Sequence, residues 1–513
     1  MGNYGEKERQ ALGGIFCLIS IICFAYICKF AMGNDIWYDE VFSLAFVKKS
    51  YGEIIAMTSR DVHPPLYYFY LKVITSIICA FAGTDKLIIA SKIASLLPWI
   101  FIFILSVTYI RRRFGLMTSG LFMMLITMMP QIPTYYVEIR MYSLALFLIT
   151  SEIMLTHNIL SGDDKRKNVT WILFFMVGIL TAYTQYYACI AVIGCYGALF
   201  IGILLGKLND KKSLWVRFSA SVLASILLYL PWLPHLKNQM DSISGKYWIQ
   251  PLTLRSILGC AKFVLLPVVY MGNLPVISAG LLIIALLVLT ILFIKRATKS
   301  DISFALCCLM PAIIVVISGF ILSALGTPIF VYRYLIPALG GLWIFVAYMS
   351  EKAVNKPLLV LLFIPMLMVC GLNMKGLGDE EGNKLAQMQL ASPALSEIPE
   401  GSIIITNFDH VCAVTSFYRP DCQVYMYEAE IDPLLKDMMG NITDNIDESK
   451  VKSLVKDENA PDSQNVYFFG SFNSREEIVD NWAKEGITSP LSGSFLIERY
   501  WINIYRLEGL DNE

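Results

Sequence analysis

Residues 87–113 read LIIASKIASLLPWIFIFILSVTYIRRR, a long apolar run closed by three consecutive arginines. A bilayer's hydrocarbon core is about 30 Å thick and takes roughly 20 apolar residues of helix to cross. Arginine and lysine clusters beside such runs favour the cytoplasmic side. The stretch therefore reads as a membrane span that ends in the cytoplasm. Working outward, ten more spans can be laid out: 13–32, 116–135, 139–158, 170–186, 188–206, 214–234, 275–294, 303–324, 335–350 and 357–373. The basic clusters are Arg111–Arg113, Lys165-Arg166-Lys167, Lys207 with Lys211-Lys212, Lys295-Arg296 with Lys299, and Lys352 with Lys356. All fall on one side in a single alternation of eleven spans, which puts the C-terminal tail on the extracytoplasmic side. The first run, Leu12–Met32, is too long for a signal-peptide core and reads as an uncleaved span.

Composition points the same way. The 513 residues are 56% hydrophobic and 16% charged, with mean hydropathy +0.59, whereas a soluble domain is about 25% charged. A soluble enzyme and a disordered scaffold are both excluded. The formal net charge of zero hides a split: residues 376–513 hold 25 acidic and 10 basic residues, and residues 1–375 carry the complementary excess of 15 positive charges. We expect two domains, a membrane body over 1–375 with an outer loop at 33–86, and an acidic domain over 376–513. β-rich runs at Ser402–Thr406, Gln423–Tyr427, Asn465–Gly470, Phe495–Tyr500 and Ile502–Leu507 alternate with polar helical stretches such as Arg475–Lys484, which predicts a small α/β fold. Residues 66–82 and 253–273 read as helices lying in or dipping into the outer interface. Ten of the twelve cysteines lie in apolar runs, leaving Cys412 and Cys422 as a candidate pair. No CxxC or Cys/His metal spacing is present.

Charge is nearly absent inside the spans, and what polar residues there are gather at the outer ends, where such residues are functional candidates. Trp37-Tyr38-Asp39-Glu40 follows the first span; Asp61-Val62-His63-Pro64-Pro65-Leu66-Tyr67-Tyr68 comes later in the same loop. Tyr135-Tyr136-Val137-Glu138-Ile139-Arg140-Met141-Tyr142 marks a bend between spans three and four, and Tyr332-Arg333-Tyr334 precedes span ten. Bland readings exist for each: acids at a helix N-terminus, a Pro-Pro helix entry, arginines snorkelling to headgroups. Gly202-x-x-x-Gly206-Lys207 is one residue short of a phosphate loop, Asn168-Val169-Thr170 is a sequon at a cytoplasmic span end, and Glu152 has no visible role. Together the acid pair, the histidine and the two arginines suit a different chemistry. A carboxylate takes the proton of an acceptor hydroxyl, and cations hold a phosphate whose negative charge grows as its bond breaks. That is glycosyl transfer from a polyprenyl-phosphate sugar.

These four motifs, in this order, resemble the bacterial members of the protein O-mannosyltransferase and lipid A aminoarabinose transferase superfamily (glycosyltransferase family 39, GT-C fold) over residues 10–350. The resemblance implies Asp39 as catalytic base with Glu40 beside it. It implies His63, Arg140 and Arg333 at the donor phosphate, His63 standing where relatives can carry another basic residue. Tyr142 and Tyr334 would meet sugar or lipid, Glu138 would join the substrate site, and Asp61 would bind the acceptor or a metal ion. Relatives typically invert the anomeric configuration. Partners are then a polyprenyl-phosphate sugar and an extracytoplasmic acceptor (protein, wall polymer or lipid), with no nucleic acid. No cofactor is required; a divalent metal is compatible with the pattern but not indicated by it. The main rival is a lipid-linked sugar flippase or transporter, which predicts internal repeats and helices broken at the midplane; no repeat is visible. A membrane-anchored sensor would explain the tail but leave the acid pair unused.

Overall fold

Backbone N–H and C=O groups in lipid must be satisfied within their own segment, so the apolar runs fold as helices. The computed structural model describes residues 5–162, 167–206, 208, 210–243, 249–352, 356–455, 465–497 and 499–509; Lys165, Arg166 and Lys207 of the basic clusters lie outside the described residues. Among those described, nine helices are long and apolar enough to cross a membrane: Glu6–Ala31, Thr84–Phe114, Tyr142–Ser161, Tyr186–Leu205, Lys211–Ser242, Leu274–Arg296, Lys299–Leu325, Tyr332–Lys352 and Val360–Ser396. Three shorter apolar helices, Leu66–Ala82, Leu116–Met128 and Lys167–Ala182, complete the set. Each of the eleven expected spans falls on one of these helices. The chain divides into two compact units, Met1–Lys29 with Tyr51–Gly378, and Phe30–Ser50 with Asp379–Glu513.

In the first unit, two expected elements are shorter than the sequence suggests. The run 116–135 is helical only to Met128, because Met129 precedes Pro130 and is driven into extended backbone (φ −67°, ψ 152°). Gln131 then adopts φ 69° and a short helix, Ile132–Val137, carries the chain to the Glu138 bend. In 253–273 only Arg255–Leu265 is helical; Leu266 precedes Pro267 and is extended. Helix Leu66–Ala82 starts directly after Pro64-Pro65, burying Tyr67, Tyr68, Leu71 and Thr75 while Val73, Ile77 and Phe81 are exposed at intervals of four.

Small residues set the closest crossings, as in membrane bundles generally. A Cβ on Gly341 would stand 2.2 Å from the Cys308 carbonyl oxygen, and one on Gly194 would stand 2.6 Å from Pro311 Cα. Helix Leu339–Lys352, whose apolar positions are buried almost throughout, is thereby drawn against Lys299–Leu325.

The second unit is built on a seven-stranded sheet of β1 (Ile403–Thr406), β2 (Gln423–Tyr427), β3 (Ile442–Ile446), β4 (Val466–Gly470), β5 (Ile487–Thr488), β6 (Leu491–Ile497) and β7 (Tyr500–Gly509), in the order β3-β2-β1-β4-β7-β5 with β6 also on β7. β1 pairs in parallel with β2 and β4, and β2 with β3, while β7 runs antiparallel to its neighbours. The run Phe495–Tyr500, expected as one strand, straddles a hairpin: Ile497 pairs with Tyr500 across a two-residue connection. The core gathers Ile403, Ile405, Tyr427, Val466, Phe468, Trp482 and Leu507. Trp482 comes from helix Ser474–Lys484, where the sequence placed one. Cys412 and Cys422 are buried free thiols and form no disulfide. Helix Tyr38–Val47, near the other end of the chain, belongs to this unit.

Candidate active site

The first unit brings His63, Arg140, Arg333, Tyr142 and Tyr334 together. Pro64-Pro65 fixes the chain after His63, and the Leu66 amide donates to the Tyr183 carbonyl (3.0 Å), anchoring the entry to helix Leu66–Ala82. His63 is buried, and its Nε2 lies 2.9 Å from Arg140 Nη2. A guanidinium can only donate, so Nε2 is the acceptor and the imidazole is neutral. Burial first, then the positive charges of Arg140 and Arg333, hold its pKa well below the ordinary histidine value. Arg140 reaches this place because the chain is extended at Glu138 (ψ 139°) and turns, with the Arg140 amide bonded to the Glu138 carbonyl (2.9 Å), before the next helix starts at Tyr142. Glu138, Arg140 and Tyr142 thus stand at a bend, as their spacing predicts.

Arg333 sits in a 3₁₀ segment, Tyr332–Ala338, that leads into Leu339–Lys352. Its neighbour Tyr334 stacks on Tyr187 (centroids 4.5 Å apart, planes 17°). Tyr142 packs edge-on to Tyr135 (4.8 Å), within the fields of Arg333 and Arg140. Its buried hydroxyl has no hydrogen-bond partner among the described residues. Asp61 lies on the turn before His63, with the Tyr68 hydroxyl 3.5 Å from its Oδ2. One cation escaped the sequence reading. Lys92, buried in helix Leu87–Leu105, donates from Nζ to the Val137 carbonyl (2.7 Å), directly before Glu138. A lone lysine in an apolar run was the available signal.

From His63 and Tyr334 an apolar cavity of about 330 Å³ extends past Ile190, Tyr229, Leu322 and Ile329. A second, of about 440 Å³, shares Cys189 and Tyr229 with it and continues past Val192, Val222 and Ile226. The first cavity is thus apolar along its length, with His63, the partner of Arg140, in its lining.

Asp39 and Glu40 belong to the second unit, in the first turn of Tyr38–Val47. The two carboxylates do different work. Glu40, 1% exposed, accepts the Trp37 backbone N–H on Oε2 (3.1 Å) and so caps its own helix. Asp39 is half-buried and does not share that bond. The segment ahead of it is tied down by the Tyr418 hydroxyl donating to Asp35 Oδ1 (2.7 Å) and by Asn34 Nδ2 donating to Glu381 Oε2 (2.5 Å). Among the described residues no group of three or more His, Cys, Asp or Glu is placed to share a metal ion.

No protein-family model matches the sequence, and no curated protein matches it. Solved structures do. ArnT from Cupriavidus metallidurans bound to undecaprenyl phosphate aligns at TM-score 0.59 and 10% identity over 96% of this chain and 97% of that one. The same protein in the apo state aligns at 0.58 and 11% over the same shares. An oligosaccharyltransferase from Archaeoglobus fulgidus follows at 0.46 and 11%, over 80% and 62% of the two chains, too distant to argue from. With its helical membrane body and small C-terminal sheet domain, the chain has the GT-C fold seen in ArnT.

Proposed function

We propose that the protein is an integral-membrane glycosyltransferase that moves a sugar from a polyprenyl-phosphate donor to an acceptor on the extracytoplasmic face. The observation that carries this reading is the buried His63–Arg140 contact, with His63 also in the field of Arg333 and lining an apolar cavity. Such a site suits a ligand that is an anion at one end and a hydrocarbon chain at the other, and a polyprenyl phosphate is that ligand. The undecaprenyl phosphate bound to ArnT supports the same identification.

The chemistry follows from charge. Asp39 takes the proton of the acceptor hydroxyl as its oxygen attacks the anomeric carbon from the face opposite the phosphate, which inverts the configuration. The bond to phosphate breaks, and a phosphodiester with one negative charge becomes a monoester with nearly two. Arg140 and Arg333 stabilise that growing charge more than they stabilise the bound donor, which is the condition for lowering the barrier. Neutral His63 keeps Arg140 oriented by accepting a hydrogen bond from its Nη2–H. Tyr142 and Tyr334 face sugar and lipid, Glu138 and Asp61 the remaining polar groups of donor and acceptor, and Glu40 holds the helix on which Asp39 sits. No step needs a cofactor.

The basic clusters set the orientation: Arg111–Arg113 and Lys295-Arg296 inside, the Asp39 loop and residues 376–513 outside. The test is lipid analysis of a strain lacking the protein. The unused polyprenyl-phosphate sugar should accumulate on the extracytoplasmic leaflet. Accumulation on the cytoplasmic leaflet alone would favour a flippase and overturn the reading.

A further inference from the structure

The acid-bearing turn is gripped by aromatic and polar groups of the C-terminal sheet domain, all within the second unit. Tyr38, the residue before Asp39, lies flat on the imidazole of His410, with centroids 3.8 Å apart and planes 12° apart. His410 is on helix Asp409–Tyr418, and its Nδ1 is 2.7 Å from the Tyr500 hydroxyl at the start of β7. On the other side of the turn the Arg499 guanidinium sits 4.0 Å over the Trp37 ring. The stack and the cation–ring contact join positions some 370 and 460 residues apart in sequence. A domain that only had to anchor helix Tyr38–Val47 could do so with its apolar face. Here a titratable ring, held at one nitrogen, is placed against the first turn as well.

We propose that His410 is a positioning residue for Asp39: through its stack on Tyr38 and its hydrogen bond to Tyr500 it fixes the turn that aims the carboxylate, and its charge state tunes that carboxylate as a base. The inference rests on Asp39 being the base. Burial holds the His410 pKa below the ordinary value, against the opposing pull of the Asp409 and Asp39 carboxylates. The groups facing the ring are therefore Asp409 from its own helix (Nε2 to Oδ1 4.0 Å), Tyr38 and Asp39 from helix Tyr38–Val47, and Tyr500 from β7. At neutral pH the imidazole is uncharged. On acidification the imidazolium forms beside the carboxylate and makes it a poorer base. Activity then falls with the protonation of His410.

The experiment uses the full-length protein in nanodiscs with a purified polyprenyl-phosphate sugar, and compares His410→Phe, Tyr500→Phe and Asp39→Asn. Phe keeps a flat ring against Tyr38 but removes the bond to Tyr500 and the titrating nitrogen. For His410→Phe, kcat at pH 7.5 should fall roughly tenfold, the effect of losing about one hydrogen bond, with donor KM within about twofold. The acid limb of its kcat profile should move to lower pH. Tyr500→Phe should lower kcat while keeping the wild-type acid limb, because the imidazole remains. A His410→Phe protein with wild-type kcat, or with an unshifted acid limb, overturns the inference, provided Asp39→Asn is inactive in the same assay. An active Asp39→Asn would instead overturn the base assignment beneath it.

Discussion

Replacing Arg140 by lysine separates a phosphate-binding arginine from one that merely reaches for headgroups. Arg140 is 5% exposed, so its charge is not shared with bulk water, and its Nη2 is committed to His63 at 2.9 Å. The guanidinium offers its donors in a fixed plane, the fork geometry that matches a phosphate. Lysine keeps the charge but offers a point in place of that fork. A hydrogen bond to a charged group is worth about 1.5–3 kcal/mol, which converts to a rate effect of roughly 10- to 150-fold. We expect Arg140→Lys near the lower end and Arg140→Ala at or beyond the upper. Donor KM should change by less than about threefold, because the bound donor carries one charge and the transition state nearly two. The assay is donor-titrated turnover in nanodiscs, with thermal unfolding as the control for folding. Wild-type kcat in Arg140→Lys would refute the assignment, since a snorkelling side chain tolerates the exchange.

Four further outcomes are expected. Asp39→Asn should lower turnover by roughly 10²–10⁴-fold through loss of base assistance, whereas Glu40→Gln should chiefly lower the melting temperature, since Glu40 caps a helix at a cost of about 1 kcal/mol when lost; the two are separated by measuring kcat and Tm on each. His63 titrates below its ordinary value when folded, so the unfolded chain binds the proton first: stability is full above the unfolded pKa of about 6.5 and declines as pH falls toward the folded value. Melts of wild type and His63→Gln between pH 7.5 and 5 should show the shallower decline in the variant. Gly341→Ala should destabilise by about 1–3 kcal/mol through overpacking, because its Cβ would meet the Cys308 carbonyl at 2.2 Å; detergent thermal unfolding reads it directly. Reporter fusions after Arg113 and at the C-terminal end should report opposite sides of the membrane, and a shared side would undo the span count.

Much of the membrane body was legible because burial in lipid writes itself as long apolar runs, and every expected span overlaps a helix. The departures trace to proline: Pro130 ends one helix at Met128 and Pro267 ends another at Leu265. The strand error at Phe495–Tyr500 came from a two-residue hairpin whose flanks are uniformly β-prone. Within the candidate site the bend at Glu138 and the pairing of His63 with Arg140 follow from motifs that lie 77 residues apart, and only their order in the chain hinted at the meeting. Lys92 was missed because one cation barely moves the hydropathy of a 24-residue run. His410 and Tyr500 were invisible for another reason. Their role depends on Tyr38–Val47 packing with a domain that starts more than 300 residues later, and no local pattern encodes that choice of partner.

The most direct test of glycosyl transfer is to incubate the purified protein in nanodiscs with a sugar-loaded polyprenyl phosphate and an extracytoplasmic extract as acceptor, and to follow the lipid by mass spectrometry. The expected result is acceptor-dependent conversion to free polyprenyl phosphate, lost in Arg140→Ala and in Asp39→Asn. A wild-type protein that moves the intact donor across a vesicle membrane while releasing no polyprenyl phosphate would contradict it.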